Sequence, residues 1–225
     1  MLSSASQLRQ KGADDLKGRW GEAALLTFVY TLISLAFNAT VGSGINLFVS
    51  PLGSLASILL IPLGWGFSMT FLANHRREDN DPFNINHLFD GYRDFARVFL
   101  TGLLMGIYIF LWSLLLIVPG IIKALSYAMT YYILRDHPEL KNNEAIELSM
   151  DMMDGYKGKL FWLYLTFIGW FILCIFTLGI GYFWLQPYMS STMANFYEEV
   201  KAEYENRSFE KPVDVSEGTY NKSER

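Results

Sequence analysis

A charged segment in the first half of the chain carries the residue types that bind metal ions. It contains two histidines and several carboxylates: His75, Glu78, Asp79, Asp81, His87 and Asp90. A zinc-binding helix places two histidines four positions apart, and a calcium loop alternates its carboxylates, but this segment follows neither pattern. We therefore interpret it as a solvated charged loop and predict no metal site and no cofactor.

The apolar runs of the chain contain hydroxyls and one thiol, the side chains used in nucleophilic catalysis. The single cysteine, Cys174, has no ionisable neighbour in its run, so no activating base is within reach. Ser113, Ser126 and Thr130 also lie in apolar runs, where such side chains commonly hydrogen-bond their own helix backbone. We find no catalytic constellation and expect a protein that is not an enzyme.

Asn38 and Gln186 are strongly polar residues inside otherwise apolar runs. Ion and proton pathways in membranes usually place Asp, Glu, Arg or His in mid-span, and these two side chains carry no charge. Helix–helix hydrogen bonding is the favoured interpretation. The alternative is a path between the helices near these two residues, as in a transporter or a transport accessory.

Pairs of basic residues border three of the apolar runs: Lys17 and Arg19, Arg93 and Arg97, Lys157 and Lys159. A cation near an anionic membrane surface gains about 1 kcal/mol, so we predict that these six side chains contact lipid headgroups. Anchoring of the membrane topology explains the same pairs equally well. The recurring order of surface helix, basic pair and apolar hairpin suggests a threefold repeat, which the orientation rule alone would also produce.

Six apolar segments carry or flank these residues. They are Ala23–Val41, Leu52–Ala73, two segments within Val98–Leu134, then Leu160–Leu178 and Ile180–Phe196. As one helix, Val98–Leu134 would be roughly 55 Å long against a hydrocarbon core of roughly 30 Å. We place a hinge at Pro119 and Gly120, so that the stretch forms a hairpin whose second span is Ile121–Leu134.

Three amphipathic segments alternate with these spans. We expect surface helices near the N-terminus with a cap at Ser3 or Ser4, after Pro82, and from Asn142 or Asn143 to Gly155. The predicted fold class is an all-α polytopic membrane protein with six transmembrane helices and cytoplasmic amphipathic helices. Residues 1–200 form the integral membrane domain, and residues 201–225 form a polar, disordered cytoplasmic tail.

The basic residues predict the orientation. Of the eighteen Lys and Arg residues, only Lys123 falls on the side opposite to the others. The positive-inside rule then predicts a multi-pass protein of the cell membrane with cytoplasmic N- and C-termini. The net charge of −4 argues against nucleic acid as a partner.

Several segments also resemble a known family. They include LKGRWGEAALLTF, FDGYRDFARVF, LWSLLLIVPGIIKALSYAMTYYILRDHPEL and NEAIELSMDMMDGYKGKLF. The combination resembles the bacterial integral membrane family catalogued as domain of unknown function 975, over roughly residues 5–200. It is more distantly similar to the membrane domain attached to some glycerophosphodiester phosphodiesterases, whose catalytic domain this chain lacks. The resemblance implies a six-span bundle in a bacterial plasma membrane and supplies no activity.

We therefore expect a non-enzymatic plasma-membrane protein that binds lipid or partner proteins at its cytoplasmic rim. Membrane lipids are the expected partners, together with another membrane protein or a second copy of the chain in a homo-oligomer. A transporter is the alternative function, and a membrane enzyme ranks third.

Overall fold

The fold is helical throughout the residues that the computed structural model describes, 2–42, 58–78 and 80–210. The α-helices are α1 (Ala5–Asp15), α2 (Trp20–Gly42), α3 (Ile61–Arg76), α4 (Phe95–Leu115), α5 (Ile117–Ser126), α6 (Thr130–Asp136), α7 (Asn142–Met152), α8 (Lys157–Phe176) and α9 (Tyr182–Glu210). Two 3₁₀ segments cover Ile58–Leu60 and Ile85–Tyr92. Within these ranges there is no strand, and the predicted all-α class is confirmed.

Four helical segments are long and apolar enough to cross a membrane: Trp20–Phe37, Phe95–Leu114, Ile117–Asp136 and Lys157–Phe176. They coincide with the first, third, fourth and fifth predicted spans. Their large apolar side chains point outward; Ile117 is 76% exposed and Phe176 is 81% exposed. Such extensive exposed apolar surface is compatible with a membrane protein.

The second and sixth predicted spans fall in α3 and α9, which are not among those four segments. The predicted second span begins at residues 52–57, outside the described residues, and its helical part α3 is 16 residues long. In α9, the buried face carries Ser190, Ser191, Thr192 and Asn195. Because α9 is packed between other helices, its surface need not be apolar. Among the described residues, length and composition therefore identify four candidate spans and do not confirm the predicted six.

The N-terminal helix α1 begins as predicted. Ser4 caps it, since its Oγ accepts from the Gln7 N–H at 3.4 Å and Gln7 Oε1 accepts from the Ser4 N–H at 2.8 Å. The buried side of α1 packs on α9, and a Cβ at Gly12 would overlap Thr192. This surface helix is therefore held by the protein itself as well as by any membrane.

The second predicted surface helix is instead the 3₁₀ segment Ile85–Tyr92. Residues three apart line up along a 3₁₀ helix, so Leu88 and Gly91 face the same neighbour, α3. A Cβ at Gly91 would overlap the Pro62 carbonyl. The tighter helix therefore brings its backbone directly against α3, which the expected amphipathic α-helix would not do.

The third predicted surface helix is confirmed as α7. Ile146 and Ser149 are buried on one face, and Glu144, Glu147 and Asp151 are exposed on the other. The chain leaves this region through Gly155, whose φ of 81° is in the left-handed region that favours glycine.

The predicted hinge at Pro119 and Gly120 is wrong in its position. The helix breaks at Leu116, where the backbone is extended (φ −161°, ψ 144°). Pro119 lies in the first turn of α5, where proline is tolerated because the N–H it lacks would have no helical partner. Gly120 is buried inside α5, and a Cβ there would overlap Ser113 of α4. Glycine is thus required for close packing of the hairpin rather than for the turn.

The predicted tail begins too early at residue 201. Helix α9 continues to Glu210, Val200 is fully buried, and Lys201 forms an ion pair with Asp136 at 2.6 Å. Residues 201–210 therefore belong to the folded part of the chain. Residues 211–225 lie outside the described residues.

Candidate functional site

A polar basin of about 480 Å³ lies beside the turn between α1 and α2. It is lined by Asp14, Asp15, Lys17, Arg19, Asn74, Arg77 and Asn80. We call this set the cationic basin, because three of its members are Lys or Arg. The basin joins the end of α1, the start of α2 and the end of α3.

The turn between α1 and α2 positions two of the cations. Leu16 is fully buried in a cluster with Leu26 and Phe71, which holds the turn against the protein. Gly18 has a φ of 83°, a conformation that other residues rarely adopt. The buried leucine and the left-handed glycine together fix where Lys17 and Arg19 leave the backbone.

The Asp15 carboxylate of the basin contacts an amide and a histidine side chain. Asp15 Oδ2 accepts a hydrogen bond from Asn195 Nδ2 at 2.5 Å and lies 2.8 Å from His75 Nδ1. This hydrogen bond to Asp15 raises the pKa of His75 above its ordinary value, against the opposing effect of burial. The charge of Asp15 is therefore directed toward His75 rather than toward the cations of the basin.

The three cations have no carboxylate partner among the described residues. Arg19 donates to Asn74 Oδ1 at 3.4 Å and to the Asn80 carbonyl at 3.1 Å, both neutral acceptors. Lys17 and Arg77 are exposed and, within the described part of the chain, form no ion pair. Three positive charges and two carboxylates thus line one polar cavity, and the excess of cations can bind an anion such as a phosphate.

The sequence matches the family described as protein of unknown function (DUF975) over residues 1–126 and 113–204. The chain belongs to this family. No curated protein matches it, and no solved structure matches it. The family description names no activity, so the function of this DUF975 protein has to be inferred from its geometry.

Arg97 of this DUF975 protein is occupied by structural contacts. Its Nη2 donates to the Leu134 carbonyl at 2.9 Å, and its Nη1 donates to the His137 carbonyl at 3.2 Å. These carbonyls belong to the end of α6, where helical acceptors lack partners within the helix. Its predicted companion Arg93 is exposed and lies 3.4 Å from Asp90.

The third predicted pair is also outside the cationic basin. Lys157 Nζ lies 3.9 Å from Asp154 Oδ1, and Lys159 Nζ lies 5.6 Å from the ring centroid of Tyr156. The structure therefore brings Lys17 and Arg19 into one site and leaves the other two pairs elsewhere. Arg77 was not predicted; the signal for it is its position directly after the second apolar run.

An ion cluster beside the basin ties three helices together. Arg76 of α3 donates to both carboxylate oxygens of Asp136 in α6, each at 2.7 Å, and its Nε donates to Glu198 of α9 at 2.6 Å. Tyr197 and Lys201 donate to Asp136 Oδ2 at 2.7 and 2.6 Å. The contact with Asp136 raises the pKa of Arg76. Because these groups satisfy one another, we assign the cluster a structural role.

The polar residues predicted within the spans are not brought together by any described contact. Asn38 lies in α2, but its side chain is outside the described residues, and Gln186 is half-buried in α9.

The charged segment that contains His75 and His87 has no metal-binding group in its described part. Among described residues no group of three or more His, Cys, Asp or Glu side chains has a metal-binding arrangement, and Asp79 lies outside them.

Proposed function

We propose that this DUF975 protein is a multi-pass protein of a bacterial plasma membrane and binds anionic lipid headgroups in the cationic basin, without catalysing a reaction. Six apolar segments enter the membrane in pairs from the charged side. Both termini lie in the cytoplasm, as the excess of Lys and Arg on the charged side favours.

The observation that carries the headgroup proposal is the convergence of Lys17, Arg19 and Arg77 on one cavity, where none of the three forms an ion pair with a described carboxylate although Asp14 and Asp15 also line the cavity. The basin adjoins the first turn of α2, whose exposed face carries Leu25, Phe28 and other apolar side chains. A lipid phosphate in the basin would therefore leave its acyl chains beside an apolar helix. At about 1 kcal/mol per cation, three cations give an upper limit of roughly a hundredfold preference for an anionic headgroup, which the carboxylates of Asp14 and Asp15 reduce.

Binding of single lipids to the purified protein tests this proposal. Native mass spectrometry would compare phosphatidylglycerol with phosphatidylcholine for the wild type and for Lys17→Gln/Arg19→Gln/Arg77→Gln. We expect the wild type to retain phosphatidylglycerol preferentially and the triple variant to lose that preference.

A matched control is Arg93→Gln/Lys157→Gln/Lys159→Gln, which removes the same charge outside the basin. It is expected to keep most of the preference. An equal loss in both triple variants would contradict the proposal, since it would mean that net charge rather than the basin selects the lipid.

Transport along a path near Asn38 and Gln186 stays an alternative prediction. Loss of substrate uptake in Asn38→Ala or Gln186→Ala, with lipid binding unchanged, would favour it. A membrane protein partner or a second copy of the chain also remains part of the proposal, since a lipid-coated rim is a surface on which either can assemble.

A further inference from the structure

Helix α7 packs against α4 and α6, and side chains near its two ends contact the two arms of the hairpin formed by α4 and α5. Near its start, Asn143 Oδ1 accepts from the Tyr108 hydroxyl of α4 at 3.1 Å. Near its end, Met150 Sδ lies 3.6 Å from Lys123 Nζ of α5. Tyr108 comes eight residues before the break at Leu116 and Lys123 seven residues after it. The two contacts are therefore at nearly the same height on the two arms of the hairpin.

The length of α7 fits this crosswise placement. Two helical turns separate Asn143 from Met150, a rise of about 10 Å, which is close to the distance between the axes of two packed helices. Its buried face, with Ile146 and Ser149, is turned to the protein; Ser149 Oγ donates to the Ser126 carbonyl at 2.8 Å. This is the geometry of an amphipathic helix lying in the plane of a membrane surface.

The opposite face of α7 cannot lie in hydrocarbon. It exposes the carboxylates Glu144, Glu147 and Asp151. An acidic side chain at the centre of a membrane helix costs about 2.5–3.5 kcal/mol on insertion scales, and α7 has three of them. The hydrocarbon must therefore begin beyond α7, on the side of the hairpin tip.

Only a short length of the hairpin remains on that side. Eight helical residues from Tyr108 to Leu116 rise about 12 Å, whereas a hydrocarbon core is roughly 30 Å thick. Helix α4 is long enough to cross, but one face of its first half packs against the protein, where Val98 and Thr101 are fully buried, while Leu100 on the opposite face is exposed. Part of the helix that composition identifies as a span therefore packs against other helices of the protein.

The tip itself has the character of a segment inside lipid. Phe110, Ile117 and Val118 are all more than 60% exposed and apolar. The Leu116 N–H donates to the Trp112 carbonyl at 3.2 Å, and the Gly120 N–H donates to the Leu116 carbonyl at 3.3 Å. These two bonds connect the break to the last turn of α4 and to the first turn of α5.

Lys123 marks the lower boundary of this tip. Its Nζ lies 5.1 Å from the ring centroid of Trp112 and 5.9 Å from that of Tyr127. Aromatic rings and a snorkelling lysine are typical of the interface between hydrocarbon and water.

We infer that the α4–α5 hairpin enters a single leaflet from the charged side and turns back within it, with α7 lying on the membrane surface at its base. The third and fourth predicted spans then do not cross the membrane. This inference rests on the proposed membrane placement and is independent of the cationic basin. Both termini stay on the same side, because a hairpin that returns leaves the topology of later segments unchanged.

Cysteine accessibility tests the inference. In a Cys174→Ser background, Val118→Cys places a thiol on the exposed tip, and Glu147→Cys places one on the charged face of α7. Intact cells and inside-out vesicles would each be treated with a membrane-impermeant maleimide. We expect Glu147→Cys to be labelled only in inside-out vesicles and Val118→Cys to stay at background in both preparations.

A nitroxide attached to Val118→Cys in detergent and reconstituted into vesicles gives a positive signal. Its relaxation should respond to oxygen and not to a water-soluble nickel complex, whereas the label at Glu147→Cys should respond to nickel. Labelling of Val118→Cys in intact cells would overturn the inference and favour a complete crossing. Labelling of Val118→Cys only in inside-out vesicles would also overturn it, since the tip would then lie in cytoplasmic water.

The lipid-selectivity measurement separates this inference from the headgroup proposal. A preference for phosphatidylglycerol that depends on Lys17, Arg19 and Arg77 can persist whatever the accessibility of Val118→Cys.

Discussion

Helices α4 and α9 distribute polarity in opposite ways. The exposed end of α4 is apolar, with Phe110 63% exposed, whereas the most buried part of α9 carries hydroxyl and amide side chains. Length and composition identify α4 as a candidate span and not α9, although α9 contains most of the apolar segment Ile180–Phe196 and is the more enclosed of the two. Hydropathy thus identifies helices with an exposed apolar surface, and it does not identify the helix at the centre of the protein.

Thr192 and Asn195 on the buried face of α9 are hydrogen-bonded, whereas the buried Ser191 Oγ has no hydrogen-bond partner among the described residues. Thr192 Oγ1 donates to the Tyr188 carbonyl at 2.7 Å, and Asn195 Nδ2 donates to the Ser191 carbonyl at 3.0 Å as well as to Asp15. The first two bonds lie within α9, whereas the bond from Asn195 to Asp15 connects α9 to α1. Interhelical hydrogen bonds hold helices together where the hydrophobic effect gives no net attraction between them. The comparison predicts that α9 carries stability and that the tip of α4 carries membrane contact.

A matched pair of phenylalanines tests the comparison most directly. Phe196→Ala removes a fully buried ring from α9 and is expected to cost about 3–5 kcal/mol of unfolding free energy. Phe110→Ala at the tip of α4 is expected to change the unfolding free energy by no more than about 0.5 kcal/mol. The ring of Phe110 would contact lipid or detergent both in the folded protein and in an unfolded state that stays inserted. Denaturant-induced unfolding in one detergent measures both. Equal losses would contradict the division between the two helices.

The ion cluster that anchors α9 predicts a loss of similar size. The Asp136 side chain is only 7% exposed, and Asp136→Ala leaves Arg76 and Lys201 without their shared partner. Removing one member of a buried ion pair costs about 3–5 kcal/mol. The thermal midpoint in detergent should fall clearly for Asp136→Ala and hardly for Asp154→Ala, whose side chain is 82% exposed. A small effect at Asp136 would mean that packing alone holds α9 in place.

The smallest expected effect is a dependence on pH at the junction of α1, α3 and α9. His75 is hydrogen-bonded to Asp15, and this contact raises the folded-state pKa of His75 above its ordinary value of 6.5. The charges of Glu198 and Arg76 also act on His75. A group whose pKa is raised by folding contributes its full stabilisation below its unfolded-state pKa. This contribution is lost as the pH rises through its folded-state pKa. Stability should therefore decline above pH 6.5 in the wild type. A decline of the same size in His75→Gln would assign the effect to another group.

Much of the helical architecture was predictable from the sequence because local signals specify it. Ser4 with Gln7 marks the start of α1, and the alternation of Ile146 and Ser149 with acidic residues marks α7. The four long apolar segments follow from composition alone. The turn at Leu116 was misplaced because proline and glycine have roles in packing as well as in turns.

The candidate site was predictable only in part. Lys17 and Arg19 are neighbours in sequence and share one border, so pattern reasoning identified them together. Arg77 joins them only because α3 ends beside the turn that follows α1, a contact between residues far apart in the chain. The same reasoning grouped Arg97 with the lipid-binding cations, but its position beside the end of α6 gives it carbonyl partners instead.

The sequence alone specifies the helical class, the apolar segments and the clustering of charge in the segments between them. These properties depend on the side chains of each segment and on the solvent that surrounds it. The tertiary structure decided how far each apolar segment is free to meet lipid. Helix α9 is central, the 3₁₀ segment Ile85–Tyr92 covers α3, and α7 contacts both arms of the α4–α5 hairpin. Each of these arrangements depends on contacts between residues far apart in the chain. Such contacts arise from the shapes of packed surfaces, which no window of sequence contains.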